Sequence, residues 1–505
     1  MTVGTMYGAR AGGGLSARAR ALLHDAVAAY AGRPYQARLM AVGRHLDEPL
    51  RVAITGRVKA GKSTLLNALV GRRVAATDAG ECTQIVTWYA YGEHTHAWAY
   101  PKAGSPHGLG LTDDEDGVVL DLGGLRAAEV DQLYVQLPGA WLAQMTLIDT
   151  PGMGSLSEGV ASRAREFLAG DDTGVPGDVD AVLYLLRHLH TSDVDFLEIL
   201  HETQFGRTTP INAVGVLSRA DEVGGGGPDA VDQAQRVALG YRQDPRIRGL
   251  LHTVTPVAGL LAEAAATMTA GEFADLTALG GVSPAVTAPM LLSAARFMAP
   301  VRSIALSPES RARLLHRLGL YGVRMSLEAI RSAGGALGHE GLAELLRERS
   351  GLTELRRLLL TQFAERRDVL KAESVLRVID AATRADMIPA AQQLREQVER
   401  LRANAHELAE IRLLTELRTG QVPAPPERLA DMERILGGEG TAMTTRLGLA
   451  ADAAPEEIAG VIGDLHVRWR WIAANPLTDP ALARAATVVQ RTCEGMAAAM
   501  GATAT

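Results

Sequence analysis

Cysteine is nearly absent: only Cys82 and Cys493 occur in 505 residues. Two thiols are too few for a disulfide framework, and their expected places in different structural units point to a reducing compartment. Aromatic residues make up 4% of the chain. With Ala, Leu, Arg and Glu abundant, that scarcity argues against an all-β fold and favours Leu/Ala helix seams. No apolar run reaches the ~18 residues that a membrane span needs. The best stretch, 281–300, is interrupted by Pro284, Pro289 and Arg296. Residues 1–14 are glycine-rich, lack a signal-peptide core and are expected to form a flexible lead-in to a cytoplasmic protein. Positive charge is not in excess either. A net charge of -7 gives no global cationic field of the kind that coats nucleic acid or anionic lipid. Lysine is rarest of all among the charged residues, with four in the chain, two of them Lys59 and Lys62.

What is present divides the chain in two. Its length exceeds one ordinary core, so two structural units are expected, one of them discontinuous. Leu15 to His45 has helical spacing with a break near Gly32-Arg33-Pro34. Short apolar runs follow at 50–55, 85–91, 96–100, 117–122, 133–137, 145–148, 181–186, 211–217 and 253–257. The later ones alternate with helical stretches at 159–169, 194–205 and 228–241, as parallel β-α-β winding requires. From about Ser307 onward only helical patterns appear. Leu352, Leu355, Leu359 and Phe363 share a face, and Leu394, Val398, Leu401, Ala405 and Leu408 repeat at bundle spacing. The expected units are an N-terminal helix over 15–47, a nucleotide domain over 48–300, and a helical bundle over 301–505 that recruits the N-terminal helix.

The run Gly56-Arg57-Val58-Lys59-Ala60-Gly61-Lys62-Ser63-Thr64 lies between a strand and a helix. Glycines at its ends permit the tight bend that points backbone N–H groups at a phosphate, and the helix N-terminus adds partial positive charge. All nine residues are therefore assigned to nucleotide contact. Lys62 would bridge β- and γ-phosphates, and the Ser63 hydroxyl would ligate Mg²⁺. A second motif, Asp149-Thr150-Pro151-Gly152, ends an apolar strand. Asp149 would reach Mg²⁺ through water, and the Gly152 N–H would sense the γ-phosphate. In the polar loop between them Thr83 is the candidate for Mg²⁺ and γ-phosphate, ahead of Thr77 and Thr87.

Base choice rests on Ser218-Arg219-Ala220-Asp221 after a buried strand. Asp221 can accept guanine N1–H and N2–H₂ together, a pairing adenine does not offer, so GTP and GDP are the expected ligands. Arg219 can lie over the base, Ser218 braces weakly, and Ala258 ends the last strand where a base-edge loop belongs. Met153 follows Gly152 where a water-positioning glutamine often stands, so the attacking water must be held by something else. Lys59 is a catalytic candidate beside Lys62, Ser63 and Thr83, because its charge could face the bridging oxygen during hydrolysis.

A KAGKST loop, a DTPG without glutamine and a discontinuous helical bundle together resemble the bacterial dynamin-like GTPases. Leu318-Gly-Leu-Tyr-Gly-Val-Arg-Met-Ser326, Arg349-Ser-Gly-Leu-Thr353, Gln362-Phe-Ala-Glu-Arg366, Leu370-Lys-Ala372, Ile435-Leu-Gly-Gly438 and Ser218-Arg-Ala-Asp-Glu222 are similar to the mycobacterial and actinobacterial isoniazid-inducible IniC group. The likeness runs from about Leu15 to Pro480. It implies an α/β G domain with a mostly parallel sheet, inserted in an all-α dynamin-like bundle or stalk. It also implies self-association through G domains, a stalk tip on an anionic membrane at the inner face of the cell membrane, and room for a paralogous dynamin-like partner. In that reading Gly56, Lys62, Ser63, Thr83, Asp149, Gly152 and Asp221 keep the family roles.

Weaker signals stand beside these. Residues 301–420 hold twenty Lys+Arg against sixteen Asp+Glu, which suits an anionic surface. Met387-Ile388-Pro389 is a candidate membrane tip, while Trp469 and Trp471 read as packing residues. His188 and His190 with Asp193 or Asp195 make a poor metal set. The rival functions are a weakly hydrolysing nucleotide-switched scaffold and a ribosome- or RNA-associated GTPase. No basic, aromatic-interleaved module supports the second, so no nucleic-acid partner is expected.

Overall fold

The computed structural model describes residues 14–74, 85–114, 117–122, 124–152, 179–203, 212–301, 304–334 and 336–503. Thr77, Cys82, Thr83, Met153 and the helix expected at 159–169 lie outside them. The strands, in chain order, are β1 (Leu50–Gly56), β2 (Val86–Tyr91), β3 (His96–Pro101), β4 (His107–Gly108), β5 (Gly110–Asp114), β6 (Gly117–Asp121), β7 (Val130–Leu137), β8 (Met145–Asp149), β9 (Ala181–Leu186), β10 (Ala213–Ser218) and β11 (Val254–Val257).

Nine of them form one sheet in the order β11-β10-β9-β1-β8-β2-β7-β3-β4, and β5 and β6 pair separately. β11, β10, β9, β1 and β8 run parallel. Their sequences are continuous apolar runs because helices cover both faces; β9 and β10 are buried at every position. β7 instead alternates buried and partly exposed residues, as a strand with one wet face should. After β1 the chain builds β2 to β8 on one side of it and then crosses to β9 on the other. The crevice beyond the C-terminal end of β1 is therefore a topological switch point, where ligands bind in open α/β sheets.

The N-terminal helices Leu15–Ala29 and Pro34–His45 pack on Arg367–Ala385 and Ala391–Asn404. They share a core that includes Leu22, Leu23, Leu39, Leu376, Ile379 and Val398. A second helical cluster gathers Leu414, Met432, Ile435, Trp469, Ala486 and Val489 from the helices between His406 and Thr503.

The boundary expected at residue 300 differs from the packing. Leu314, Leu318, Leu327, Leu342 and Leu346 belong to the core under β9 and β10. The Leu352/Leu355/Leu359/Phe363 face, which reads as a bundle seam, packs with β1 and the phosphate-loop helix. Periodicity reports that a helix face is buried but not against what. The passage to the outer bundle lies at Leu359–Arg366, where a π-turn and a 3₁₀ turn interrupt the helix.

Candidate nucleotide site

Gly56 closes β1 with φ 147, and a Cβ there would stand 2.5 Å from the Leu185 carbonyl oxygen. Glycine at this position thus serves the contact of the loop with β9. The crown of the loop, Arg57-Val58-Lys59, is exposed. Lys59 has φ 62 and Arg219 has φ 54, the two non-glycine positive-φ residues among the described residues. Such backbone persists only where the surroundings hold it. One hydrogen bond joins the two: Arg219 Nη2 donates to the Lys59 carbonyl at 3.1 Å. The bracing expected weakly from Ser218 comes from its neighbour, since Ser218 Oγ donates to the Leu186 carbonyl at 3.2 Å instead.

Gly61, with φ 91, is the N-cap of the phosphate-loop helix Lys62–Val70 and has no side chain with which to cap it. Its first N–H groups are left for an anion. Arg356 ties down the other end of this helix by donating to the carbonyls of Ala68 and Leu69 at 3.1 and 3.0 Å. At the end of β8, Thr150 Oγ1 donates to the Ile54 carbonyl at 3.0 Å, which locks the Asp149 strand to β1. A Cβ on Gly152 would lie 3.0 Å from Val58 Cα and 3.2 Å from Lys62 Nζ, so the two motifs nest against one another.

Asp149 is buried. Ser63 Oγ donates to its Oδ2 at 3.4 Å, and its Oδ1 has no partner among the described residues. Burial pushes this carboxyl up to about 6 against the pull of Lys62 and Ser63, and burial lowers the Lys62 amine. Asp221 is also pushed up to about 6, first by burial and further by Glu222. Ala258 is fully buried, and its N–H goes to the Ser350 carbonyl at 2.9 Å. The base-side wall expected from Ala258 is formed by its neighbours Val257 and Gly259.

A cavity of about 230 Å³ connects Gly61 and Thr64 with Ser218, Asp221 and Gly259. Its far wall comes from the helix Pro308–Ser332, through His316 and Arg317. Sequence reasoning missed this wall; the one signal was a glycine inside a helical pattern at Leu318-Gly319-Leu320. Among the other candidates, Asp193 spends its carboxylate on Tyr184 and the His190 N–H at 2.7 and 2.9 Å. No group of three or more His, Cys, Asp or Glu residues that could hold a metal occurs among the described residues.

A mostly parallel sheet with this loop at its switch point, joined to a large helical region, defines a P-loop GTPase. A family model for 50S ribosome-binding GTPases matches residues 51–214. The isoniazid-induced protein IniC of Mycobacterium tuberculosis (strain CDC 1551 / Oshkosh) is 37% identical over 495 residues, covering 96% of this chain and 99% of that protein. A bacterial dynamin-like protein of Nostoc punctiforme is 26% identical over 148 residues, covering 27% of this chain and 20% of that one. A solved structure described as an oligomerised bacterial dynamin pair, for the long-range sensing and tethering of membranes, covers 96% of this chain and 75% of its own at 14% identity and a TM-score of 0.30. The chain belongs to the IniC family and carries a GTPase domain: it binds guanine nucleotide and hydrolyses GTP.

Proposed function

We propose that this GTPase hydrolyses GTP with Mg²⁺ across a face-to-face pair of G domains and couples the cycle to membrane binding by its helical stalk, at the inner face of the cell membrane. The observation that carries the pairing is the outward crown of the phosphate loop, where Val58 is 45% exposed between Arg57 and Lys59. An apolar side chain on a rim of charge is suited to burial against a second copy. Pairing would also complete a site in which no described residue stands in for a water-positioning glutamine after Gly152.

The residues fit Mg²⁺. A hydroxyl and a carboxylate are hard oxygen donors, and the orphaned Asp149 Oδ1 lacks only a polar partner. Ser63 would hold the ion directly and Asp149 through water, with Thr83, outside the described residues, as the third candidate. When bound, the ion would neutralise charge on the β- and γ-phosphate oxygens. The chain's own part is positional. Lys62 and the helix N-terminus hold the phosphates, Gly152 lies against the loop, Asp221 reads the base, and Arg219 keeps the loop in its strained shape.

For the membrane contact, the helical hairpin ending at 475–479 supplies a better tip than Met387-Ile388-Pro389. Met387 is exposed there at 70%, but Ile388 beside it is buried at 7%, and the turn is tied down where Tyr30 Oη donates to the Asp386 carbonyl at 2.8 Å. Trp471 at 67% and Leu477 at 93%, by contrast, stand in solvent beside the exposed Arg470. An exposed tryptophan next to arginine is suited to a bilayer interface. No helix among the described residues is long and apolar enough to cross a membrane.

GTP turnover measured against protein concentration, with and without anionic liposomes, tests the proposal. Rate per molecule should rise with concentration, and the protein should pellet with the liposomes. Flat, lipid-indifferent turnover would favour the nucleotide-switched scaffold.

A further inference from the structure

We propose that Gly319 is a guanine-selecting residue: the kink it makes in the Pro308–Ser332 helix leaves the Asp221 carboxylate open to the edge of a purine carrying a 2-amino group. The inference rests on Asp221 as the base reader. Residues 308–332 are one helix except at Gly319, where φ is 64 and ψ is 174. Only glycine populates that region freely. A glycine in a helix interior weakens the helix, so a kink retained there has a local reason.

The surroundings supply it. A Cβ at 319 would stand 3.4 Å from Asp221 Oδ2 and 3.5 Å from Leu260 Cδ1. Guanine N1–H and N2–H₂ must come within hydrogen-bond distance of the Asp221 oxygens. A methyl in contact with Oδ2 would shield that oxygen and make the site drier on its apolar side without offering a donor. Straightening the helix instead would require a different path for the backbone where it passes this carboxylate.

Both flanks of the kink are pinned, one to the two helices that follow β11 and the other to the loop after Asp221. On the N-terminal side, the buried Arg317 donates to Glu272 Oε1 at 2.8 Å, to Glu263 Oε1 at 3.1 Å, and to Thr267 Oγ1 at 2.7 Å. Glu263 and Thr267 lie in the helix that follows β11, and Glu263 is also paired with Arg73 at 3.2 Å. On the C-terminal side, Arg324 donates to the Gly226 carbonyl, in the glycine-rich loop after Asp221, and to the Leu291 carbonyl at 2.8 Å. The kink is thus clamped between the segment after the guanine motif and the segment after the last strand. His316 and Arg317 bring the same helix to the cavity wall.

The test uses the full chain in three arms. In the native protein, GDP should slow amide exchange over 316–322 together with 56–64 and 217–222; protection of the last two without 316–322 would overturn the inference. In Gly319→Ala, GDP affinity should fall at least about tenfold, the size of a lost charge-assisted hydrogen bond. Inorganic tripolyphosphate, which has no base, should compete at the loop as it does with the native chain. Native-like GDP affinity in this variant would also overturn the inference, and if the variant does not fold, the exchange arm decides alone. Asp221→Asn should lose GDP and gain xanthosine diphosphate. Retention of GDP there would sink the reading of Asp221 itself, separately from the role of Gly319.

Discussion

Asp149 and Asp221 occupy opposite ends of the nucleotide site, and burial holds both carboxyls near a pKa of 6. Their folded values lie above the unfolded one. Their contribution to stability is therefore fully present below about pH 4 and is lost as pH rises through about 6. At neutral pH both groups are charged, and Asp149 Oδ1 has no hydrogen-bond partner among the described residues. In the proposed Mg²⁺-dependent mode nucleotide takes the ionised forms, so affinity for GDP should fall by about tenfold per pH unit for each group below about pH 6. Calorimetric titration between pH 5 and pH 8 checks this; a flat profile would contradict it. Lys59 and Arg219 make a second residue-scale case. The bond between them uses the Lys59 carbonyl, so Lys59→Ala keeps the brace while removing the ammonium and its stem. It should cut turnover far more than GTP affinity, whereas Arg219→Ala should weaken GTP and GDP alike by several-fold through loss of one charge-assisted bond. Single-turnover rates beside equilibrium binding separate the two outcomes.

At the scale of elements, most of the sheet was legible. Apolar runs bounded by turns marked the strands, and the break at Gly32-Arg33-Pro34 marked the two N-terminal helices. The short β4 and β5 strands were not legible, because neither carries a run long enough to show a period. The partner of a helix face was not legible either. Leu352 to Phe363 has the same spacing whether it faces a bundle or the sheet, and only the packing with β1 shows which. The two tryptophans of the Pro455–Ala474 helix separate in the same way: Trp469 is fully buried, while Trp471 is exposed. They differ by two residues on a helix and so point to opposite sides. Trp471→Ala with Leu477→Ser should abolish liposome pelleting and leave the melting temperature within a few degrees, because neither side chain is in a core. Unchanged pelleting would move the membrane contact elsewhere.

The whole molecule is joined at the end of the sheet remote from the nucleotide. Asp180, buried before β9, accepts from His45 at 2.9 Å and pairs with Lys371 at 3.2 Å. Burial alone would raise its pKa, but His45, Lys371 and the Arg51 N–H outweigh it and hold the carboxyl well below its usual range. One aspartate of the G domain thus meets one side chain from each arm of the discontinuous bundle. Lys371→Met leaves that carboxylate short of a partner and should cost about 3–5 kcal/mol of stability. Asp180→Asn added to it should recover part of the loss; denaturant melts of the single and double variants check both. A second contact lies at His252, which accepts from Arg418 at 2.7 Å and is kept neutral by burial and by the nearby arginines.

The sequence by itself determined the chemistry of the loop, the sign of base selection through Asp221, and the order of strand, loop and helix. Each depends on residues close together in the chain, where spacing dictates geometry. The tertiary structure alone decided that Arg219 braces Lys59, that Ala258 is turned inward, that Gly319 stands beside Asp221, and that Lys371 meets Asp180. Those are contacts between segments tens to hundreds of residues apart, and local pattern carries no record of which buried faces meet.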